Sequence, residues 1–558
     1  MPTNAEAAEI LRAIADLLDL EGERFKPEAY RRAARSIETL TEDLKAVAER
    51  KELDTIPGIG DAIAEKIQEY LKTGRIAYYD RIRSEVPPGV LELMRLAGVG
   101  PKTARRFWVE MHITSPKELR EAIDAHRLEG VSGIGPRKIE LLRSALGPTA
   151  ARVGTRIPLT EAYVVAQRLL AAIRATGRVE RIEAAGSLRR RRETVGDLDL
   201  LASSPDAKGV FDVVSGLPGV HEVLLRGETK ETVRLDSGLQ VDVRVVASNE
   251  FGAAFVYFTG SKDHNVHLRT IARDRGLKIN EYGIFQGEER VGGATEDEVY
   301  AALKLAWIPP ELRENRGEIE AAAAGTLPEL VTERDVRGEL HWHVPPNATR
   351  EDIETTLAEA RRRRMEYVGA VVAGTSVEGG SVKIERGALE RLGELHGKRP
   401  SGMPIVWLVG EVAGTGTGPE GMELDYLVRR PTKGPVRASR KAFLPTLVIA
   451  HLDPTAPPAG IDKERRAWID WAASHDAALE MGPGPSRLDS IGGGEVRARN
   501  GTLAIPTGLG SSPDDPTFPV ALGLARRAQA NAAQILNARS RAEIEQLLTP
   551  RATPERRG

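Results

Sequence analysis

One stretch constrains this chain more than any other: Gly186-Ser187-Leu188-Arg189-Arg190-Arg191-Arg192-Glu193-Thr194-Val195-Gly196-Asp197-Leu198-Asp199. Side chains at i and i+2 of a strand share one face, so Asp197 and Asp199 point together while Leu198 and Leu200 turn into a core. Neighbouring carboxylates repel strongly unless a cation sits between them. Oxygen ligands on a hard ion that also holds phosphate are the usual setting for Mg²⁺. Leu239 to Val246 alternates too, with Val241, Val243 and Val245 on one face and Gln240, Asp242 and Arg244 on the other. Pairing of the two strands would make the three carboxylates converge, a set suited to two-metal phosphoryl transfer. An isolated Asp-x-Asp is more often a pair of solvated strand carboxylates. The Gly-Ser, the arginine run and the third Asp together favour the metal reading.

A second block reads Tyr257-Phe258-Thr259-Gly260-Ser261-Lys262-Asp263-His264-Asn265, followed by Arg269 and by Ile279-Asn280-Glu281-Tyr282. With the G-S-x-R-R-x(5)-G-D-x-D pattern, it makes the chain resemble the family X DNA polymerases, the DNA polymerase beta-like group, in their prokaryotic form. The resemblance implies that Asp197, Asp199 and Asp242 are the catalytic carboxylates, holding two Mg²⁺ (or Mn²⁺) ions. It implies that Ser187 and Arg190 grip the triphosphate of a dNTP, with Gly186, Gly196 and Arg156 close by. Tyr257 and Phe258 would flank the sugar, Gly260 would allow close approach, and Asn265 would touch the minor-groove edge of the new pair. Arg269 and Arg244 would face DNA. Arg189, Arg191 and Arg192 are left as a surface or DNA-facing turn. The implied activity is gap-filling repair synthesis on gapped or primed double-stranded DNA by a monomer. A DNA-binding scaffold without chemistry and a template-independent transferase are the competing readings.

Three units share an apolar-x-Gly-apolar-Gly pattern before a helix, around Gly58/Gly60, Gly98/Gly100 and Gly133/Gly135. They resemble helix-hairpin-helix units, in which glycines bring backbone N–H groups close to a phosphate without reading bases. Lys102 follows the second unit and would add a phosphate contact. Lys66 follows the first, where lyases of the family carry a Schiff-base lysine, and Lys26 and Tyr30 match the lyase pocket. A 5′-deoxyribose-phosphate lyase activity is thereby left open, since lysines after such hairpins usually just contact phosphate.

At 558 residues the chain should hold several domains. The expected organisation is multidomain α/β. A lyase-like helical domain spans 1–85, hairpin fingers 86–150, a nucleotidyltransferase palm 151–246 and a nucleotide-selecting thumb 247–320. A linker over 321–334 then leads to a C-terminal domain over 335–550. There is no cysteine, so disulfides and Cys-based zinc sites are excluded. No leader pattern and no membrane-length apolar run stands out, so a prokaryotic cytoplasmic protein without a membrane partner is expected. The net charge of −2 says little about DNA, because local patches decide that.

Asp335 to His343 resembles the opening of a PHP (polymerase and histidinol phosphatase) domain, a distorted (β/α) barrel that binds metals and cuts phosphoesters. His341 and His343 share a strand face, and Glu411 and His451 match ligand loops. Other ligand positions read Gly374-Thr375-Ser376, Arg429-Arg430-Pro431 and Thr507-Gly508-Leu509-Gly510. A metal cluster cannot form on what remains, so the domain is expected to lack nuclease activity and its metals. The alternative is a dual polymerase and 3′-5′ exonuclease or abasic-site endonuclease.

Overall fold

The computed structural model describes residues 4–548, apart from 24, 39–43, 95, 97–98, 130, 132–133, 136–137, 140–141, 144–145, 147–155, 375–385, 399–402, 414–424, 431–447, 451–468, 471, 474–477, 483–486 and 513–514. The N-terminal region is helical. Its first helix, Asn4–Glu21, packs on Lys26–Glu38 and also on Pro101–Met111. One apolar core runs from Ala7 through Phe107 to Leu146. The boundary expected at residue 85 therefore does not separate two cores, because Ala104 and Phe107 are buried against the first helices.

The hairpins form as their glycines require. Gly58 sits at φ +87, and Gly60 caps the Asp61–Thr73 helix. Gly100 caps Pro101–Met111, whose proline occupies the first helical position, where no N–H is needed. In the third unit the Gly135 carbonyl accepts from the N–H of Lys138 and Ile139. Lys138 Nζ reaches Thr103 Oγ1 at 3.0 Å, tying the third unit to the second. Gly98 and Gly133 lie outside the described residues.

The palm is a five-stranded sheet in the order Arg181–Ala184, Asp197–Ser203, Gln240–Val246, Lys230–Leu235, Val220–Arg226. The helices Leu159–Ala175 and Ala207–Ser215 bury Leu159, Leu170, Val210 and Phe211 in a core with Leu198, Leu200, Val241 and Val243. The first of these helices starts at Leu159. Pro158 is extended (φ −57, ψ 147), and Ile157–Pro158 pairs with Thr194–Val195.

The thumb region opens on two helices, Phe251–Thr259 and Lys262–Asp274. Gly260 at φ +70 breaks the first, and the Ser261 hydroxyl accepts from His264 N to start the second. A three-stranded sheet and the helices Glu296–Ala302 and Glu318–Ala324 complete it.

Among the described residues, the C-terminal domain is built on seven parallel strands in chain order, from Gly338–His343 to Thr502–Ala504. Asn537 closes the gap between the ends of that sheet. Its buried amide donates to Gly338 O (3.2 Å) and Ile505 O (2.7 Å) and accepts from Ile505 N (3.0 Å). The Thr517–Arg527 helix ends where the chain leaves through Gln529 in the left-handed region.

The expected linker is not a loose hinge. Ala321 to Ala324 finish a helix, and the N–H of buried Val331 donates to Ala530 O at 2.9 Å. Palm and C-terminal side chains share one apolar core in which Leu198 and Val241 join Val331, Leu479, Val520 and Leu524. No described helix is long and apolar enough to cross a membrane.

Candidate active site

The Asp197–Ser203 and Gln240–Val246 strands pair in parallel with Asp199 opposite Asp242. Asp197 and Asp199 share a face, and Leu198 and Leu200 are buried behind them. Burial first, then the charges of Asp197 and Asp242, pushes Asp199 up to about 7. Burial and Asp242 raise Asp197 as well. Asp242 is held by Lys230 Nζ from the neighbouring strand and by Gln240 Nε2 at 3.1 Å. Among the described residues no three such side chains converge into a preformed metal cage. The donor set nonetheless fits hard divalent cations: it is all oxygen, and its carboxylates are destabilised as anions until a cation arrives.

Gly186 is required beside them. It lies at φ +58, and a Cβ there would come 2.1 Å from Asp199 Oδ2. A pocket of about 530 Å³ opens at this point. It brings together Arg156, Gly186, Ser187, Arg190, Asp197 and Asp199 with Tyr257, Phe258, Gly260, Asn265 and Arg269. Gly196 packs behind Arg156, whose Nη1 would lie 3.2 Å from a Cβ at that glycine. Arg156 itself donates to Thr194. Tyr257 and Phe258 meet edge to face at 5.1 Å. Asn265 Nδ2 donates to Tyr257 O at 2.6 Å, while its buried Oδ1 has no partner among the described residues. Arg244 stands on the other side of Phe258, 4.4 Å from the ring, at a separate cavity of about 330 Å³ with Glu281.

Sequence reasoning missed Lys230, Arg12 and Arg35. The two arginines line the pocket from the N-terminal helices, and Arg35 Nε lies 3.5 Å from Asp263 of the thumb. Strand alternation could have put Lys230 diagonally across from Asp242. Nothing local in the sequence marks Arg12 or Arg35.

The arginine turn is not the exposed feature expected. Arg189 makes a forked pair with Glu296 (2.6 and 2.8 Å) and bonds Thr259 Oγ1 at 2.7 Å. Glu296 also takes Arg313 and the Trp307 indole. Burial opposes ionisation of Glu296, but Arg189 and Arg313 outweigh it and hold the carboxyl far below its usual range. Arg190 Nε reaches Glu314 Oε1 at 3.2 Å, and its Nη1 donates to Thr259 O. Arg191 lies 5.0 Å from the Tyr163 ring, and Arg192 is 3.7 Å from Glu314. Two acids more than a hundred residues away convert a basic surface pattern into a buried one.

In the N-terminal region, Lys66 Nζ donates to Ala62 O at 2.9 Å and sits 5.0 Å from the Tyr78 ring. Lys26 pairs with Glu23 at 2.8 Å on the surface. Tyr30 is buried, which pushes its phenol up to about 12. Gly60, Gly100 and Gly135 have open space where a Cβ would stand, and Lys102 is exposed. These positions leave the backbone free to approach a phosphate.

In the C-terminal domain, buried His341 Nδ1 is 3.1 Å from Glu480 Oε2. The other Glu480 oxygen is 2.6 Å from Arg487 Nε. Glu339 accepts from His341 N, Thr507 N and Thr507 Oγ1. The His343 ring lies 4.4 Å from that of His341. Glu411 belongs to the Ile405–Ala413 strand, with its side chain outside the described residues, as is all of His451.

Residues 254–314 match the DNA polymerase beta thumb family. Residues 2–76 match a helix-hairpin-helix domain and 90–147 a SAM-like helix-hairpin-helix tandem. The chain is 33% identical over 339 residues to DNA polymerase/3′-5′ exonuclease PolX of Bacillus subtilis, covering 60% of this chain and 58% of that protein. It is 27% identical over 342 residues to DNA polymerase lambda of Rattus norvegicus, covering 56% of each. With DNA polymerase lambda of Arabidopsis thaliana it shares 23% over 347 residues, 56% of this chain and 62% of that one. The chain thus spans less than two thirds of each of these relatives. Hairpin domain, hairpin tandem and thumb stand in the order that the family X resemblance implies.

Proposed function

We propose that this chain is a family X DNA polymerase that fills short gaps in duplex DNA by template-directed addition of dNTPs. The observation that carries the reading is Asp199 facing Asp242 at the edge of a pocket that also holds Gly186-Ser187, Arg190 and Tyr257-Phe258. Asp197, Asp199 and Asp242 would hold two divalent ions, Mg²⁺ or Mn²⁺. Bound there, such ions neutralise charge on the attacking and leaving oxygens of an in-line displacement. Arg190 and Arg156 supply charge-assisted donors for the triphosphate. Tyr257 and Phe258 wall the sugar and disfavour a 2′-hydroxyl. Asn265 presents its unpartnered oxygen to the base pair. Asp242, bonded by Lys230 Nζ, would stand nearest the primer hydroxyl. Gly60, Gly100 and Gly135 offer backbone N–H groups to the DNA phosphates on either side of a gap.

The C-terminal domain is read as PHP-like and without nuclease activity. Glu480 pairs with Arg487 and Glu339 accepts from Thr507, so the buried acids beside His341 already have protein partners. The test is extension of a 5′-labelled primer on gapped DNA with single dNTPs and Mg²⁺ or Mn²⁺, wild type beside Asp197→Ala. Template-directed addition lost in the variant supports the polymerase. Addition without a template strand points to a terminal transferase, and primer shortening to a working nuclease. No addition with DNA binding intact sinks the reading in favour of a scaffold.

A further inference from the structure

Two arginines end the Thr517–Arg527 helix of the C-terminal domain against the polymerase core, where the helix carbonyls favour positive charge. Arg526 bonds Glu311 at 2.7 Å and Val331 O at 3.0 Å. The Arg527 side chain is only 6% exposed. Its Nη1 donates to Glu314 Oε1 at 2.9 Å, to Arg190 O at 3.1 Å and to Glu311 O at 3.4 Å. One turn earlier Gly523 lies flat on the arginine turn, where a Cβ would come 2.7 Å from Arg191. The oxygen that Arg527 takes on Glu314 is the one that Arg190 Nε takes at 3.2 Å.

This sharing has a chemical consequence. A buried carboxylate bonded to Arg190 alone would draw that guanidinium out of the pocket and offset its charge. Arg192 lies 3.7 Å from the other Glu314 oxygen, and Arg527 adds a cation on the very oxygen that Arg190 takes, so Glu314 can orient Arg190 and still leave positive charge facing the triphosphate. In a low-dielectric cluster such contacts are strong and rigid. Burial would raise the Glu314 carboxyl, but Arg527 first and then Arg190 and Arg192 hold it down to about 2.

We propose that Arg527 is a positioning residue for nucleotide binding: through Glu314 and the Arg190 carbonyl it sets the Arg190 guanidinium toward the triphosphate. The C-terminal domain then serves the polymerase site as a fixed buttress. The proposal rests on the polymerase reading above.

The test is steady-state single-nucleotide gap filling by the full-length protein, with DNA affinity and melting temperature measured alongside. Arg527→Met should raise the dNTP KM by about 10- to 100-fold while kcat stays within about threefold and DNA affinity is unchanged. Arg527→Lys, which keeps the charge, should recover part of the KM. Arg527→Met/Glu314→Gln, which also removes the uncompensated carboxylate, should recover most of it. A folded Arg527→Met with wild-type KM overturns the proposal. So does a double variant whose KM stays as high as that of Arg527→Met, since lost packing would then be the cause. If Arg527→Met does not fold, Arg527→Lys decides: a raised KM at wild-type melting temperature supports the proposal and an unchanged KM overturns it. A wild type that adds no nucleotide would instead remove the polymerase reading itself.

Discussion

Asp199 and Asp242 face each other across a parallel strand pair, and Lys230 holds the second of them from the next strand over. Burial, and then the charges of Asp197 and Asp242, push Asp199 up to about 7.

Removing either carboxylate should abolish synthesis without releasing DNA. Asp199→Asn and Asp242→Asn should each lower kcat for gap filling by at least about 10²-fold, as expected when preorganised electrostatics at a reaction centre are lost. DNA affinity should stay near wild type because the hairpin glycines lie elsewhere. Extension rates and a binding titration check this, and near-normal extension by either variant would refute the assignment.

The metal-free protein should become less stable as pH rises from about 4 to about 7 through Asp199. A raised carboxyl pKa means that the folded state binds more protons than the unfolded state across that window, so stability falls with rising pH there. Protons and cations compete for the same oxygens. Added Mg²⁺ should therefore raise the melting temperature more at pH 7.5 than at pH 5 relative to EDTA, and Asp199→Asn should flatten the difference. Equal Mg²⁺ shifts at both pH values in the wild type would count against it.

Glu296 links the arginine turn to the thumb through Arg189 and Arg313. Glu296→Gln leaves two buried cations without their counter-charge and should cost about 3–5 kcal/mol by chemical denaturation. Because its folded pKa is depressed, the stability that Glu296 contributes is present above its ordinary value of 4.5 and is lost as pH falls below it. The acid limb of the wild-type stability curve should be steeper than that of Glu296→Gln.

Gly186→Ala should cripple activity more than it affects the fold. The new methyl would sit 2.1 Å from Asp199 Oδ2 at a backbone angle that alanine disfavours. The carboxylate must move, and gap filling should drop by about 10²-fold, as for other ångström-scale misplacements. A circular-dichroism melt close to wild type with full activity would show that the cradle tolerates a side chain.

Much of the polymerase core was legible because its signals are local. Alternation around Asp197 and Asp242 gave two strands with their carboxylates on one face, and the pairing of Asp199 with Asp242 followed from one assumption about neighbours. Gly58 marked its turn, since few residues but glycine suit a φ of +87, and Gly60 and Gly100 stood at the starts of the helices that follow. The Arg189–Arg192 run misled for the converse reason. Charge in sequence reads as exposure, and only partners brought from Glu296 and Glu314 make it a buried network.

By itself the sequence supplied the candidate site: three aspartates, a Gly-Ser cradle, an arginine run and paired aromatics, each picked out by a local pattern, while the roles proposed for them came with the family X resemblance. The tertiary structure alone decided who supports them. Arg12 and Arg35 at the pocket rim and Arg527 on Glu314 come from segments whose approach is set by packing. The core shared by palm and C-terminal domain fixes the approach of Arg527, and no short-range pattern encodes it. Backbone alternation is a property of neighbours in the chain, whereas a buried ion pair between distant segments exists only once the apolar surfaces beneath it have met.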